Sequence, residues 1–343
     1  MANQDKILMS HGSGGSMMSD LIESEFVNAY IDKDIYLGDD ATVLDKIKLG
    51  DGEKIAMSTD SYVVQPLTFP GADIGRLAVC GTVNDISTSG AKPVALSIGF
   101  ILEEGLEISV LKEICSSIAK SASEAGVKIV TGDTKVVEHG KCDGIYINTS
   151  GIGIVPSGIN LSGQNIKPGD VVLISGTIGD HGITIMSCRE GLNFSTNLKS
   201  DAAPLNSLVA DVLKAAPDTR CFRDPTRGGV ASALNEFAAQ SNVDITINEV
   251  EVPLRREVKS ACEMLGYDVF QVANEGKMIA IVPPDHADAA LSAMRANKYG
   301  KESAIIGYVD EVSSSAPKVY VQTEFKTRRI LDKLVGEQLP RIC

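Results

Sequence analysis

Five short acidic motifs are the first candidates for chemistry: Gly38-Asp39-Asp40-Ala41, Ser58-Thr59-Asp60-Ser61, Val83-Asn84-Asp85-Ile86, Thr131-Gly132-Asp133-Thr134 and Arg223-Asp224-Pro225-Thr226-Arg227-Gly228-Gly229. Each falls at the end of a predicted strand or helix. In an open α/β fold, ligands gather outside the carboxyl ends of the strands. Carboxylates brought together there repel one another unless cations lie between them. Hard oxygen donors of this kind suit Mg²⁺, which bridges readily to triphosphate oxygens. Taken singly, each Asp also reads as a helix cap or turn former. As a set they favour a metal–nucleotide site, with Asp40, Asp60, Asp85, Asp133 and Asp224 as candidate Mg²⁺ ligands.

Four further features can act beside that set. The segment His11-Gly12-Ser13-Gly14-Gly15-Ser16 is suited to wrapping phosphates with backbone N–H groups. It is neither a P-loop nor GxGxxG, and a plain N-terminal turn accounts for it equally well. His11 is a candidate base or phosphate donor, or a turn histidine. Lys135, two residues after Asp133, can neutralise phosphate or carbamoyl oxygen charge, or be a solvated strand-edge lysine. Glu275, in Ala273-Asn274-Glu275-Gly276, reads as a turn between two strands and becomes a candidate general base if it lies in a cleft. The sharpest feature is Cys343, at the end of Leu339-Pro340-Arg341-Ile342-Cys343. A structural cysteine is expected inside an element, and a free thiol carries an oxidation risk. Extended, these five residues reach about 17 Å, enough to carry a thioester-like group from an external enzyme into an internal site.

The elements that must position these residues read as two α/β domains, the natural prior for 343 residues. In the first, strands are predicted over 54–64, 93–102, 127–137 and 144–155, with helices over 73–89 and 108–124. Ile108, Leu111, Ile114, Ile118 and Ala122 keep the spacing of one helix face. The polar, Gly-rich stretch 160–169 marks the boundary. In the second domain, helices are expected from Asp180 and over 205–215, 229–240, 254–265 and 285–296. Strands are expected over 171–175, 243–247, 269–272, 277–282, 304–309 and 318–322. The division is therefore an N-terminal segment 1–39, domains 40–160 and 161–322, and a mobile tail 323–343. Net charge of −13 argues against nucleic acid and anionic membrane as partners. Seven scattered cysteines without CxxC, and no apolar run of about 18 residues, point to the cytoplasm.

Over essentially its whole length the chain resembles the HypE family of hydrogenase maturation factors. The motifs that carry the resemblance are His11–Gly15, Gly38–Ala41, Val83–Ser87, Gly132–Val137, Asp224–Gly229, Ala273–Gly276 and Pro340–Cys343. The internal motifs are shared with a wider ATP-binding superfamily that includes aminoimidazole ribonucleotide synthetase, selenophosphate synthetase and thiamine-monophosphate kinase. The terminal Pro-Arg-Ile-Cys singles out the HypE family. The resemblance implies a two-domain α/β fold that pairs the sheets of its first domains in a homodimer. It implies that a carbamoyltransferase, HypF, loads Cys343, that ATP drives dehydration of the S-carboxamide to a thiocyanate, and that cyanide passes to iron on HypC and HypD. It also implies nucleotide contacts from Gly12, Ser13, Gly14, Gly15, Asp60, Asn84, Thr134, Arg227 and Gly228. Asn84 then holds the carboxamide, Lys135 offsets charge on the phosphorylated oxygen, and Glu275, His11 or Asp85 is the base. A small-molecule kinase of the superfamily needs only the acidic motifs; a non-catalytic thiol carrier or metal scaffold needs only the cysteine. A selenophosphate synthetase is disfavoured by the lack of a cysteine in the His11–Ser16 loop.

Overall fold

The computed structural model describes residues 15–21, 23–24, 40–44, 49–189, 197–334 and 342–343. In the first half, α1 (Ser16–Leu21) and β1 (Thr42–Leu44) precede β2 (Lys54–Tyr62). The ribbon β3 (Thr68–Phe69) and β4 (Ala72–Asp73) leads into α2 (Ile74–Thr88), followed by β5 (Lys92–Glu103), α3 (Ile108–Ala125), β6 (Lys128–Val137) and β7 (Ile145–Val155). The sheet order is β1-β2-β7-β5-β6, with only β5 and β6 parallel. Residues alternate along β2 and β7 between a face packed on α2 and an open face, as strand geometry requires. The packed face carries Ala56, Tyr62, Ile145 and Ile147; the open one exposes Met57 and Ile152.

The second half runs β8 (Val171–Ile174), α4 (Asp180–Ser187), α5 (Asn206–Ala215), β9 (Cys221–Arg223), α6 (Gly229–Ser241), β10 (Asp244–Asn248), α7 (Arg256–Leu265), β11 (Ile279–Val282), α8 (Ala287–Ala296), β12 (Ala304–Asp310), β13 (Val319–Gln322) and β14 (Arg328–Ile330). These strands form a mixed sheet ordered β14-β13-β10-β12-β8-β11-β9. α6 packs an aliphatic core on one face with Val230, Leu234 and Phe237, and α5 and α8 pack the other with Leu208, Val212 and Met294.

In the second half, three segments differ from the sequence expectation. Val269–Gln271 is a single 3₁₀ turn and not a strand: Asp268 accepts from the Phe270 N–H at 3.1 Å and turns the apolar run inward. β9 has only three residues, too few for an alternation to show. Beyond Thr323, the stretch assigned to the tail contributes β14, paired with β13, then buries Leu331 and pairs Lys333 with Glu236 at 3.1 Å. The second sheet therefore extends past residue 322.

α2 joins the halves. It is buried nearly all round, against β2 and β7 on one side and α3, α5 and β9 on the others. Asn84, fully buried on α2, accepts from the Leu205 N–H at 2.7 Å and donates to the carbonyls of Ala203 at 3.0 Å and Glu275 at 3.4 Å. Arg76 Nε donates to the Ala202 carbonyl at 2.8 Å. These bonds fix the loops 201–205 and 273–276 of the second domain against the first. Removing the Asn84 amide strands buried backbone groups at a cost of about 1–3 kcal/mol each. Asn84→Ala is therefore expected to lower the urea midpoint by roughly 2–3 kcal/mol in equivalent stability; a midpoint within error of the parent would show that Asn84 does not clamp the seam.

Candidate active site at the seam between the domains

Four of the five candidate metal-site aspartates come together where the domains meet. Asp60 lies near the end of β2, with its Oδ1 accepting from the Ser61 N–H at 2.7 Å. Asp85 is on α2, one residue after the interdomain clamp, so the helix turn points it to β2, where Ser58 Oγ donates to it at 2.7 Å. Asp224 follows β9 and accepts from Thr226 Oγ1 at 2.7 Å. Asp40 is 3.0 Å from Arg223, which also reaches Glu236 at 2.8 Å. Burial, then the charges of Asp224, Asp60 and Asp40, push the Asp85 carboxyl well above the usual range; the Ser58 hydroxyl only partly offsets this. Burial raises Asp224 as well, against the pull of Thr226 and Arg223. Among the described residues no three acidic, His or Cys groups converge as a ready metal-ligand set. The cationic neighbours of these carboxylates are Arg223 and Arg227.

Cys343 is docked in this cluster. It is 7% exposed, with Ile342 beside it in the first domain's core near Ala202 and Ala273. Arg227 Nε donates to the Cys343 Sγ at 3.2 Å, and the same guanidinium lies 3.8 Å from Asp60. Arg227 is placed by the turn at Gly228 and Gly229, both at positive φ, which opens α6. A Cβ on Gly229 would meet the Phe270 and Val272 carbonyls at 2.6 Å, so only glycine fits. Burial pushes the Cys343 thiol up to about 11; Arg227 opposes this, and Glu275 and Asp60 add to it.

Glu275, a candidate base if it lay in a cleft, is buried. It is 3% exposed, its N–H donates to Asp201 Oδ1 at 3.1 Å, and its Oε1 has no hydrogen-bond partner. Burial, then Asp60, Asp224 and Asp201, drive its carboxyl well above the usual range, with Arg227 opposing. Gly276 makes this approach possible, since a Cβ there would lie 1.7 Å from the Asp201 carbonyl.

The remaining candidates divide. His11, Gly12, Ser13 and Gly14 lie outside the described residues. Gly15 is buried against Leu334, whose carbonyl accepts from the Ser16 N–H at 3.2 Å. Asn84, expected to hold substrate, has its amide occupied by backbone groups and acts as an interdomain clamp. Asp133, Thr134 and Lys135 are not brought to the cluster. Asp133 is in register with Gly99, Asn148 and Ser61, so it shares their face, one residue out of phase with Asp60. It also sits three interstrand spacings from β2, about 14 Å. There Lys135 Nζ pairs with Asp133 at 2.6 Å in the open, and the pair holds the Asp133 carboxyl below its ordinary value. Thr134, beside them on β6, is also exposed.

Residues not singled out from sequence complete the site. Tyr62 is fully buried, and burial with Asp60, Glu275 and Asp85 raises its pKa, with the Thr82 hydroxyl opposing. Lys277 pairs with Asp201 at 3.0 Å. His181 contacts the tail through the Ile342 carbonyl at 2.7 Å. The Gly179-Asp180-His181-Gly182 run at a helix start was the available signal for His181; nothing in the local sequence marks Asp201.

The AIR synthase related protein N-terminal domain matches residues 38–155, and the C-terminal domain of the same family matches 167–319. The carbamoyl dehydratase HypE of Azotobacter vinelandii is 51% identical over 335 residues, covering 98% of this chain and 96% of its own. The chain belongs to the HypE family. A crystal structure of a HypE–HypF complex superimposes with a TM-score of 0.85 at 49% identity, covering 92% of this chain and 99% of that one. A HypE structure in complex with ATP gives a TM-score of 0.82 at 46% identity, covering 98% and 100%. The expected two-domain α/β fold of this family is thereby shown.

The docked thiol makes a chemical prediction. With its pKa near 11 against an ordinary 9.0, Cys343 has a thiolate fraction at pH 8 about a hundredfold below that of a free cysteine. The raised pKa suppresses the thiolate below pH 11, so the fraction climbs about tenfold per pH unit up to there. In iodoacetamide labelling read by peptide mass, exposed Cys115 and Cys188 are expected to react first and Cys343 at least tenfold more slowly, with no plateau below pH 10. Early labelling of Cys343 would contradict the docked geometry.

Proposed function

We propose that this chain dehydrates an S-carboxamide carried on Cys343 to an S-thiocyanate at the expense of ATP. The observation that carries this reading is Cys343 buried between Arg227 and Glu275 at the edge of the acidic cluster. An amide oxygen is a poor leaving group, so the carbamoyl oxygen must first take the γ-phosphoryl group. Phosphoryl transfer asks mainly for positioning and charge neutralisation. Loss of phosphate and of the two N–H protons then leaves S–C≡N. In sum, S–CO–NH₂ and ATP give S–C≡N, ADP, phosphate and a proton.

This chain's residues supply what that sequence needs. Arg227 fixes the sulfur. Glu275 is the general base: burial and the neighbouring Asp60, Asp224 and Asp201 carboxylates raise its proton affinity, and its Oε1 has no hydrogen-bond partner. Asp40, Asp60, Asp85 and Asp224 offer only oxygen donors, and their mutual repulsion in a buried cluster fits Mg²⁺. When bound, Mg²⁺ neutralises triphosphate charge. Gly228 and the uncapped N-terminal turn of α6 suit phosphate oxygens. Closure of the seam around the tip keeps water from the phosphorylated carboxamide.

The group on Cys343 comes from HypF, and cyanide passes on to HypC and HypD. No helix among the described residues is long and apolar enough to cross a membrane; a cytoplasmic setting accords with seven cysteines, none of those described being paired. A homodimer is proposed through the first sheet. β6 is exposed along nearly its whole length and presents Ile129, Val130 and Val136. Asp133, Thr134 and Lys135 would then lie at that interface.

Carbamoyl-loaded protein given ATP and Mg²⁺ is expected to lose one water, localised to the last peptide by intact and peptide mass spectrometry. Cys343→Ala should bind ATP as the parent does, by calorimetry, and form no product; turnover in that variant would end the tethered-substrate reading and favour a small-molecule kinase. Glu275→Gln should retain loading and ATP binding and slow dehydration by about 10²–10⁴-fold. An unchanged rate would remove Glu275 as the base.

A further inference from the structure

Two hydrogen bonds among the described residues hold the tail tip. One runs from Arg227 to the Cys343 sulfur. The other joins His181 Nε2 to the Ile342 carbonyl at 2.7 Å. The second differs in kind, because it holds backbone and does not depend on what the sulfur carries. A carbonyl only accepts, so Nε2 must bear the proton. The rest of the network fixes that tautomer. The Ala202 N–H donates to Ser200 Oγ at 3.2 Å, and Ser200 Oγ, 2.9 Å from His181 Nδ1, donates its own hydrogen there. The ring is fully buried, set edge-on to Phe69 at 5.6 Å, and rides on the first turn of α4. Its burial keeps the imidazole neutral, so it offers Nε2–H without adding charge.

We propose that His181 is the latch of the tail: a positioning residue whose Nε2–H bond to Ile342 sets the balance between the docked and released tip. The docked thiol is 7% exposed and cannot meet a second enzyme, so loading requires release, whereas dehydration requires docking. This last contrast rests on the proposed function. The latch therefore acts in opposite directions on the two half-reactions, and with equal effect on thiol, carboxamide and thiocyanate forms.

The test compares the full-length parent with His181→Ala, His181→Gln, which keeps an N–H donor, and Ser200→Ala, which frees the tautomer. Iodoacetamide labelling of Cys343 should rise about tenfold in His181→Ala, the loss expected for one hydrogen bond. It should return towards the parent rate in His181→Gln and be intermediate in Ser200→Ala. Cys115, on the far helix α3, should label at the parent rate in all. Transferase-dependent carbamoyl loading should speed up and single-turnover dehydration slow down in His181→Ala. Unchanged Cys343 labelling, or His181→Gln labelling as fast as His181→Ala, overturns the latch. Should His181→Ala fail to fold, faster labelling in Ser200→Ala than in His181→Gln supports the latch and the reverse order overturns it. Should the parent show no dehydration, the proposed function fails, while the labelling series still decides the latch.

Discussion

One buried guanidinium governs the seam. Arg227 contacts the Cys343 sulfur, approaches Asp60, and lowers the pKa of Glu275 against burial, Asp60, Asp224 and Asp201. Groups of like sign in a low-dielectric seam repel strongly, and each also loses hydration. Arg227 at their meeting point, with Arg223 beside Asp40 and Asp224, makes the arrangement tolerable, though not neutral: Asp85, Glu275 and Asp224 all remain displaced towards their protonated forms. The site is thus poised to take up positive charge on one side and to accept protons on the other, the two capacities that an ATP-driven dehydration needs.

That poise depends on holding two domains in one register. α2 supplies both the clamp and a member of the cluster from adjacent positions, Asn84 facing second-domain backbone and Asp85 facing β2. Glu275 is delivered by a loop whose own carbonyl accepts from Asn84 and whose next residue, Gly276, permits contact with Asp201. The base and the acidic cluster are therefore connected through backbone bonds, not through long side chains that can swing. A change in domain angle would move Glu275 and Cys343 relative to Asp60 and Asp85 together.

The regular elements were legible because their signals are local. The apolar stripe of Ile108, Leu111, Ile114, Ile118 and Ala122 fixes α3, and the Gly126 that ends it is in the left-handed conformation expected of a C-cap. The acidic motifs were legible as chemistry, and four of their aspartates do meet. What failed was distance and phase. Sequence gives no register between β2 and β6, so Asp133 and Lys135 looked equivalent to Asp60 while lying on the opposite face of the sheet. For Glu275 the sequence left open whether the turn lies in a cleft, because its burial comes from the 201–205 loop and α2, both distant in sequence. Asn84 looked free to bind substrate because its partners are backbone groups more than a hundred residues away.

Burial of the tail tip carries a chemical consequence beyond access. The pocket that raises the Cys343 thiol towards 11 penalises a thiolate, the form that accepts an acyl group. Once the sulfur carries a carboxamide it has no proton to lose, and the same surroundings no longer oppose it. A neutral S-carboxamide presents an oxygen acceptor and two N–H donors, which the carboxylate-rich, Arg-containing seam can satisfy where a thiol cannot. Docking is therefore favoured by the loaded state over a thiolate on electrostatic grounds alone. The proposed loading outside and dehydration inside both accord with one property of the site, the desolvation and negative charge around a sulfur flanked by Glu275, Asp60 and Arg227.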